Sequence, residues 1–296
     1  MRLLKSIAAG SMLRIQAYLE SQENLEISKY PDAFPELSAA MEELDEEGLA
    51  LLDQEEQKKD SPYTWLVRFL AGDKEECVSA ARSLLDFATA VFLYPRFGAV
   101  LKNMNGHMAT VELAFFMENE DFPPYRSMKS LYERGKVVME TGSDTGPFFH
   151  IPFFGDSRLA GFLCGDQEPD KRLEGIARLF LPKERLMPLL TGREMCDEIK
   201  SALAYEGQAV IIKGEKGRGK LFLLCHALQE TGKKAVIVEA GAILKRKSDM
   251  KTFIRLIRRE ALFHSCGICL HGITEEALKK AEMTVEEFLF YMADPF

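Results

Sequence analysis

The sequence predicts an α/β fold with a helical N-terminal region, and three observations carry that expectation. Apolar side chains recur at helical spacing through about the first hundred residues. The stretch Gln208–Leu228, QAVIIKGEKGRGKLFLLCHAL, reads as strand, glycine-rich loop and helix. Beyond it, the apolar runs Ala235–Val238 and Gly267–Ile273 flank a basic amphipathic segment. Strand and helix alternating in that order favour a parallel sheet with right-handed connections.

Composition bounds the class. At 296 residues and 33.4 kDa the chain suits about two domains, each large enough for its own core. Hydrophobic residues make up 47% and charged ones 28%, as in soluble globular proteins. No apolar run approaches the roughly 18 residues of a membrane span. Met1–Leu19 is interrupted by Lys5 and Arg14 and lacks a small-residue cleavage site, so it reads as an amphipathic helix and not a signal. The expected compartment is therefore cytoplasmic, with no membrane partner. Six cysteines, mostly isolated in apolar surroundings, fit reduced buried thiols.

The first region, 1–103, is expected to be helical throughout. Leu3, Leu4, Ile7, Leu13, Ile15 and Leu19 mark the first helix, and Leu37 to Leu52 the next. Asp60-Ser61-Pro62 signals a start for Trp65, Leu66, Phe69 and Leu70, and a further helix spans about 74–92. Over 104–172 the pattern changes to helix, helix and hairpin: a helix capped by Thr110, a second near Arg126–Arg134 ended by Gly135, then VVMET (137–141) and FFHIPFF (148–154) around a glycine-bounded loop. That order is the plan of a winged helix, in which Arg126, Lys129 and Arg134 would contact phosphate if the domain met DNA. The second helix lacks a base-reading set, so a protein-docking or structural wing is the preferred reading. Ser157–Cys164 reads as a short helix closed by Gly165, and Leu173–Ala204 as further helix interrupted at Pro182 and Pro188.

The third region, 173–296, holds the chemistry. Gly214, Gly219 and Lys220 satisfy the P-loop spacing G-x-x-x-x-G-K, with an extra Gly217 between them. Small residues let backbone N–H groups curl around a phosphate, and the helix behind points its positive end at the anion. The candidate binding residues are Gly214, Glu215, Lys216, Gly217, Arg218, Gly219, Lys220 and Leu221. Lys220 would neutralise the outer phosphates. Leu221 stands where a Ser or Thr hydroxyl would hold Mg²⁺, and it has no metal-ligating atom.

Rival constellations are weaker. His264-x-Cys266-x-x-Cys269-x-His271 offers four zinc-type ligands, but an apolar strand there would send Cys266 and Cys269 to opposite faces. His107, His150 and His226 stand singly among apolar residues, as structural histidines do. Charge is uneven. Net charge is −8, with 14 acids against three bases over 20–60 and 13 bases against four acids over 213–259, which suits a basic nucleotide cleft or a solvated helix face.

The segments ATVELAFF (109–116), FFGDSRLAGFLCG (153–165), LFLP (179–182) and 210–240 together resemble the front part of AAA+ ATPases. More narrowly, the chain resembles bacterial proteins in which a helical region and a winged-helix domain precede a degenerate AAA+ module, with an intact second module beyond. The resemblance implies a RecA-like parallel sheet, ATP or ADP as ligand, and a further module or protein partner. It also implies an Asp-Glu pair ending the third strand, where this chain has His271 and Gly272. With Leu221, that removes both ligands for Mg²⁺. Glu275 and Glu276 lie just beyond and read as first-turn acids behind a Thr274 cap. No room is left before Phe296 for the remaining strands, the sensor residues or the arginine finger. The expectation is an ATP-binding portion with weak or no hydrolysis of its own; a scaffold without nucleotide and a winged-helix DNA binder are the alternatives.

Overall fold

The computed structural model describes residues 1–21, 42, 44–58, 61–72, 74–97, 125–141, 153–205, 209–215 and 217–293. They fall into two compact units, Met1–Asp166 and Gln167–Pro295.

The first unit is helical, with a small strand pair. Its helices are α1 (Arg2–Ser21), α2 (Glu46–Gln57), α3 (Pro62–Ala71), α4 (Val78–Leu93) and α5 (Tyr125–Gly135); β1 (Met139–Thr141), β2 (Phe153–Gly155) and α6 (Ser157–Leu163) follow. The expected start at Ser61 is present, since its hydroxyl accepts from the Thr64 amide at 3.0 Å and Pro62 occupies the first helical position. Helix α4 is buried along most of its length, with Ala80, Leu84, Phe87 and Ala88 fully enclosed, because α1 and α3 both pack on it. Strand β2 also lies against it. An added Cβ at Gly155 would stand 2.1 Å from the Ala88 carbonyl oxygen, so this approach requires glycine. One acid is buried in α4: Asp86 accepts from Tyr63 Oη at 2.6 Å and from Arg14 Nη2 at 2.7 Å.

Strands β1 and β2 pair antiparallel, Met139 opposite Gly155. The tip of that hairpin and the helix expected near 110–115 lie outside the described residues. Helix α5 matches the expected second helix, and it packs on α3 and α4 within the same unit.

The second unit contains a three-stranded sheet. After a 3₁₀ turn at Lys171–Leu173 come β3 (Ala177–Phe180), α7 (Arg193–Leu203), α8 (Lys220–Glu230), β4 (Ala235–Glu239), α9 (Ala240–Leu244), α10 (Met250–Phe263), β5 (Gly267–His271), α11 (Glu275–Ala281) and α12 (Val285–Ala293). Strand order is β3-β4-β5. Ala235, Val236, Ile237 and Val238 are all buried because both faces of the central strand are covered. Val236 and Val238 face a core built from α9, α10, α11 and α12, including Ile243, Ile254, Ile257 and Phe288. Ala235 and Ile237 face the opposite side, with Phe180 and with Cys225 and Leu228 of α8.

Two expectations are corrected here. The sheet is mixed and not wholly parallel: β4 and β5 are parallel, but β3 runs antiparallel to β4, Ala177 opposite Val238 and Phe180 opposite Ala235. The residues of β3 include the Leu179 and Phe180 of the expected LFLP turn, in a stretch expected to be helical. Pro182 ends any helix there, whereas the alternation of Leu179 and Phe180 buries one side chain on each face and fills the edge of β4.

The second correction concerns the strand expected before the glycine loop. Residues 209–215 are irregular, and Val210 and Ile211 are 37% and 68% exposed. A strand needs a ladder partner; β4 is bonded on both sides by β3 and β5, and the run takes up neither of their outer edges. Among the described residues no strand pairs with this run. Only Ile212 is anchored, against the cluster of Cys196, Ile199, Leu223 and Ala227 between α7 and α8.

Candidate functional site

The glycine loop leads directly into α8. Gly214, Gly217 and Gly219 have φ of 149°, 84° and 73°, a region that side-chain-bearing residues rarely enter. An added Cβ at Gly217 or Gly219 would meet nothing within 4 Å, so the demand for glycine there is conformational and not steric. Gly219 is the N-cap of α8, and no side chain caps the helix start. The first-turn N–H groups are thus left to a ligand or to solvent, at the positive end of the helix dipole.

Lys220 folds back over the loop, and its Nζ donates to the carbonyls of Gly214 at 2.7 Å and Glu215 at 2.6 Å. The ammonium is thus satisfied by the loop's own backbone carbonyls. Arg218 pairs with Glu215 at 2.9 Å, both side chains more than 70% exposed, so that pair is a solvated contact on the rim. Lys216 lies outside the described residues. Leu221 is half-buried and packs toward the sheet, on the cluster of Phe180, Cys225, Leu228, Ala235 and Ile237. Its presence is explained by packing, and it presents nothing to a metal.

The far end of α8 is tied down. Glu230 accepts from Arg193 Nη1 at 2.7 Å and from Lys200 Nζ at 2.8 Å, which links α8 to α7. The hydrogen bond from Lys200, then that from Arg193, holds the Glu230 carboxyl below the usual glutamate value. Gln229 donates to the carbonyls of Pro182 and Glu184, and His226 Nε2 lies 2.9 Å from the Met187 carbonyl. These contacts fix the irregular stretch after β3 against the helix, and they give His226 a structural role.

At the carboxyl ends of the parallel strands, Glu239 and His271 are register partners, with Oε2 and Nδ1 3.2 Å apart. Reading the sequence placed His271 and Gly272 where an acid pair was expected, but it did not bring Glu239 to the same place. Its carboxylate lies over Gly272, where an added Cβ would be 2.1 Å from Oε1. The signal that could have found it is the acid that ends the AVIV strand, once the two strands are known to be neighbours. At the positions where the AAA+ resemblance implies the Mg²⁺ ligands, the residues present do not fit: Leu221 and Gly272 carry no side-chain ligand atom, and His271 offers nitrogen where Mg²⁺ takes oxygen.

Other candidates are settled by position. Cys266 and Cys269 pack on opposite sides of the sheet, as expected, and burial pushes both thiols up to about 11. No group of three or more metal-type ligands occurs among the described residues. Of the three bases proposed on α5, Arg126 and Lys129 are exposed, whereas the Arg134 guanidinium lies against Gly72 at the end of α3. Among the described residues, no helix is long and apolar enough to cross a membrane. Compared with family models, curated proteins and solved structures, the chain finds no match.

Proposed function

We propose that this chain is a nucleotide-binding module, in which the backbone from Gly214 to Gly219 and the first turn of α8 cradle the phosphates of ATP or ADP. Lys220 neutralises them. In this reading the chain is the front portion of a cytoplasmic AAA+-type protein, and a further module or partner protein supplies the missing strands and catalytic groups. The observation that supports it most is the open helix start: three glycines at positive φ within six residues, ending in an N-cap that places no side chain on the first N–H groups. Because neither position 221 nor positions 271–272 offer oxygen to Mg²⁺, turnover by this chain alone is slow or nil, and robust Mg²⁺-dependent hydrolysis would contradict the proposal. Calorimetric titration with ATP and ADP tests the binding itself. The wild type is expected to bind in the micromolar range, about −8 kcal/mol, and Lys220→Ala to weaken it at least about tenfold.

A scaffold without nucleotide is the second reading. It is favoured by the Lys220 ammonium, which is satisfied by the loop's own carbonyls, and by the unpaired run 209–213. Absence of heat with either nucleotide would select it.

A further inference from the structure

The first unit holds a cavity of about 380 Å³ between its helices, within the size range of small-molecule pockets. We propose that it binds a small organic cation, a primary amine or guanidine with a short apolar body, whose charged end is taken by the buried carboxylate of Glu55. All of its lining residues fall between positions 7 and 86, so this site is independent of the glycine loop.

Four helices build the cavity. Ile7, Gly10 and Arg14 recur at three- and four-residue spacing along α1, and Val78, Arg82 and Asp86 at four-residue spacing along α4, so each helix turns one stripe toward the space. Leu52 and Glu55 come from α2 and Tyr63 from α3. Gly10 widens the opening. Glycine weakens a helix interior relative to alanine, yet here an added Cβ would meet nothing within 4 Å and the backbone is not left-handed. Neither close packing nor conformation requires glycine at this position; its effect is room beside the charged stripe of α4.

The charges select the ligand. Three acids, Glu55, Glu75 and Asp86, line the cavity against two bases, Arg14 and Arg82. Asp86 is satisfied from within, by Tyr63 Oη at 2.6 Å and Arg14 Nη2 at 2.7 Å. Glu55 is placed differently. Its side chain is only 7% exposed, but among the described residues its one side-chain partner is Lys58 Nζ at 3.3 Å, on a lysine that is itself 59% exposed. A carboxylate held that far from water needs stronger donors than one solvated ammonium. An ammonium or guanidinium inside the cavity would supply several charge-assisted hydrogen bonds at once. Ile7, Leu52 and Val78 offer contact to a short alkyl body, while the exposed Glu75 and Ser79 mark the side open to solvent. No group of three or more metal-type ligands occurs among the described residues, so the acids suit an organic cation better than a metal ion.

The test is saturation-transfer NMR and chemical-shift titration of the full chain with three probes of one size: n-pentylamine, n-pentanol and n-pentanoate. Expected is saturable binding of the amine with Kd of about 1 mM or tighter, at least about tenfold tighter than either of the others. Glu55→Gln should lose about tenfold or more of the amine's affinity. Gly10→Leu, which fills the open space, should abolish it while the helical circular dichroism and the melting temperature hold. Equal binding of amine and alcohol in the wild type, a comparison that needs no variant, would show an apolar void and overturn the proposal. Preference for pentanoate would assign the cavity to its arginines and overturn it too. Binding of none of the three would leave the cavity to water and end the proposal, and so would amine binding that survives both variants, which would place the cation on the acidic surface.

Discussion

At the scale of single residues, one buried ion pair in the second unit joins residues far apart in sequence. Asp170 accepts from Arg172 Nε at 2.9 Å and pairs with Arg259 of α10, whose side chain is 2% exposed. Burial pushes the Asp170 carboxyl up, but the hydrogen bonds from Arg172 and the charge of Arg259 outweigh it and hold it below the usual range. Asp170→Ala removes that carboxylate from a guanidinium that stays buried, and such a loss typically costs about 3–5 kcal/mol. Denaturant unfolding should read it directly. A change within about 0.5 kcal/mol, as at an ordinary surface site, would show that Arg259 finds other support. None of this was legible beforehand, because nothing local links positions 170 and 259.

At the scale of elements, helix caps and glycine conformations follow from the sequence because the groups involved are neighbours along the chain. Ser61 and Thr274 cap the helices expected of them, and the glycines of the 214–219 loop take positive φ. Pairing of elements is a different matter. The run 209–213 has a strand's composition, but it lacks a ladder partner among the described residues, and β3 was read as helix because its edge position is set by β4. Amide hydrogen exchange should therefore be fast at 209–213 and slow along β4, which is bonded on both sides. Protection of 209–213 comparable to β4 would mean that the run is paired in solution. The junction of α7 and α8 also responds to pH. Asp197 of α7 and Glu230 of α8 both have folded values below their ordinary 3.8 and 4.5. Their stabilisation is full above those ordinary values and is lost as pH falls through the lower folded ones. Thermal melts between pH 6 and pH 3, taken as a rough working range, should show the wild type losing more stability than Glu230→Gln; parallel curves would remove Glu230 from that account.

At the scale of the whole molecule, the two units have separate cores, one around α4 and one on the two faces of the β3-β4-β5 sheet. Calorimetry should resolve two transitions, with Asp170→Ala lowering only one. Asp86→Ala, which strips the buried acceptor from Tyr63 and Arg14, should lower the other by about 1–3 kcal/mol. A single transition lowered equally by both variants would show that the units unfold together. The sequence by itself determined the helical first region, the apolar strands at 235–239 and 267–271, the helix starts and the glycine loop before Lys220. Each of these depends on side chains within a turn or two of one another, where spacing is geometry. Only the tertiary structure decided that the sheet is mixed, that 209–213 stands outside it, and that Glu239 meets His271. Those outcomes depend on which strand claims which edge, a competition among segments distant along the chain that no local pattern records.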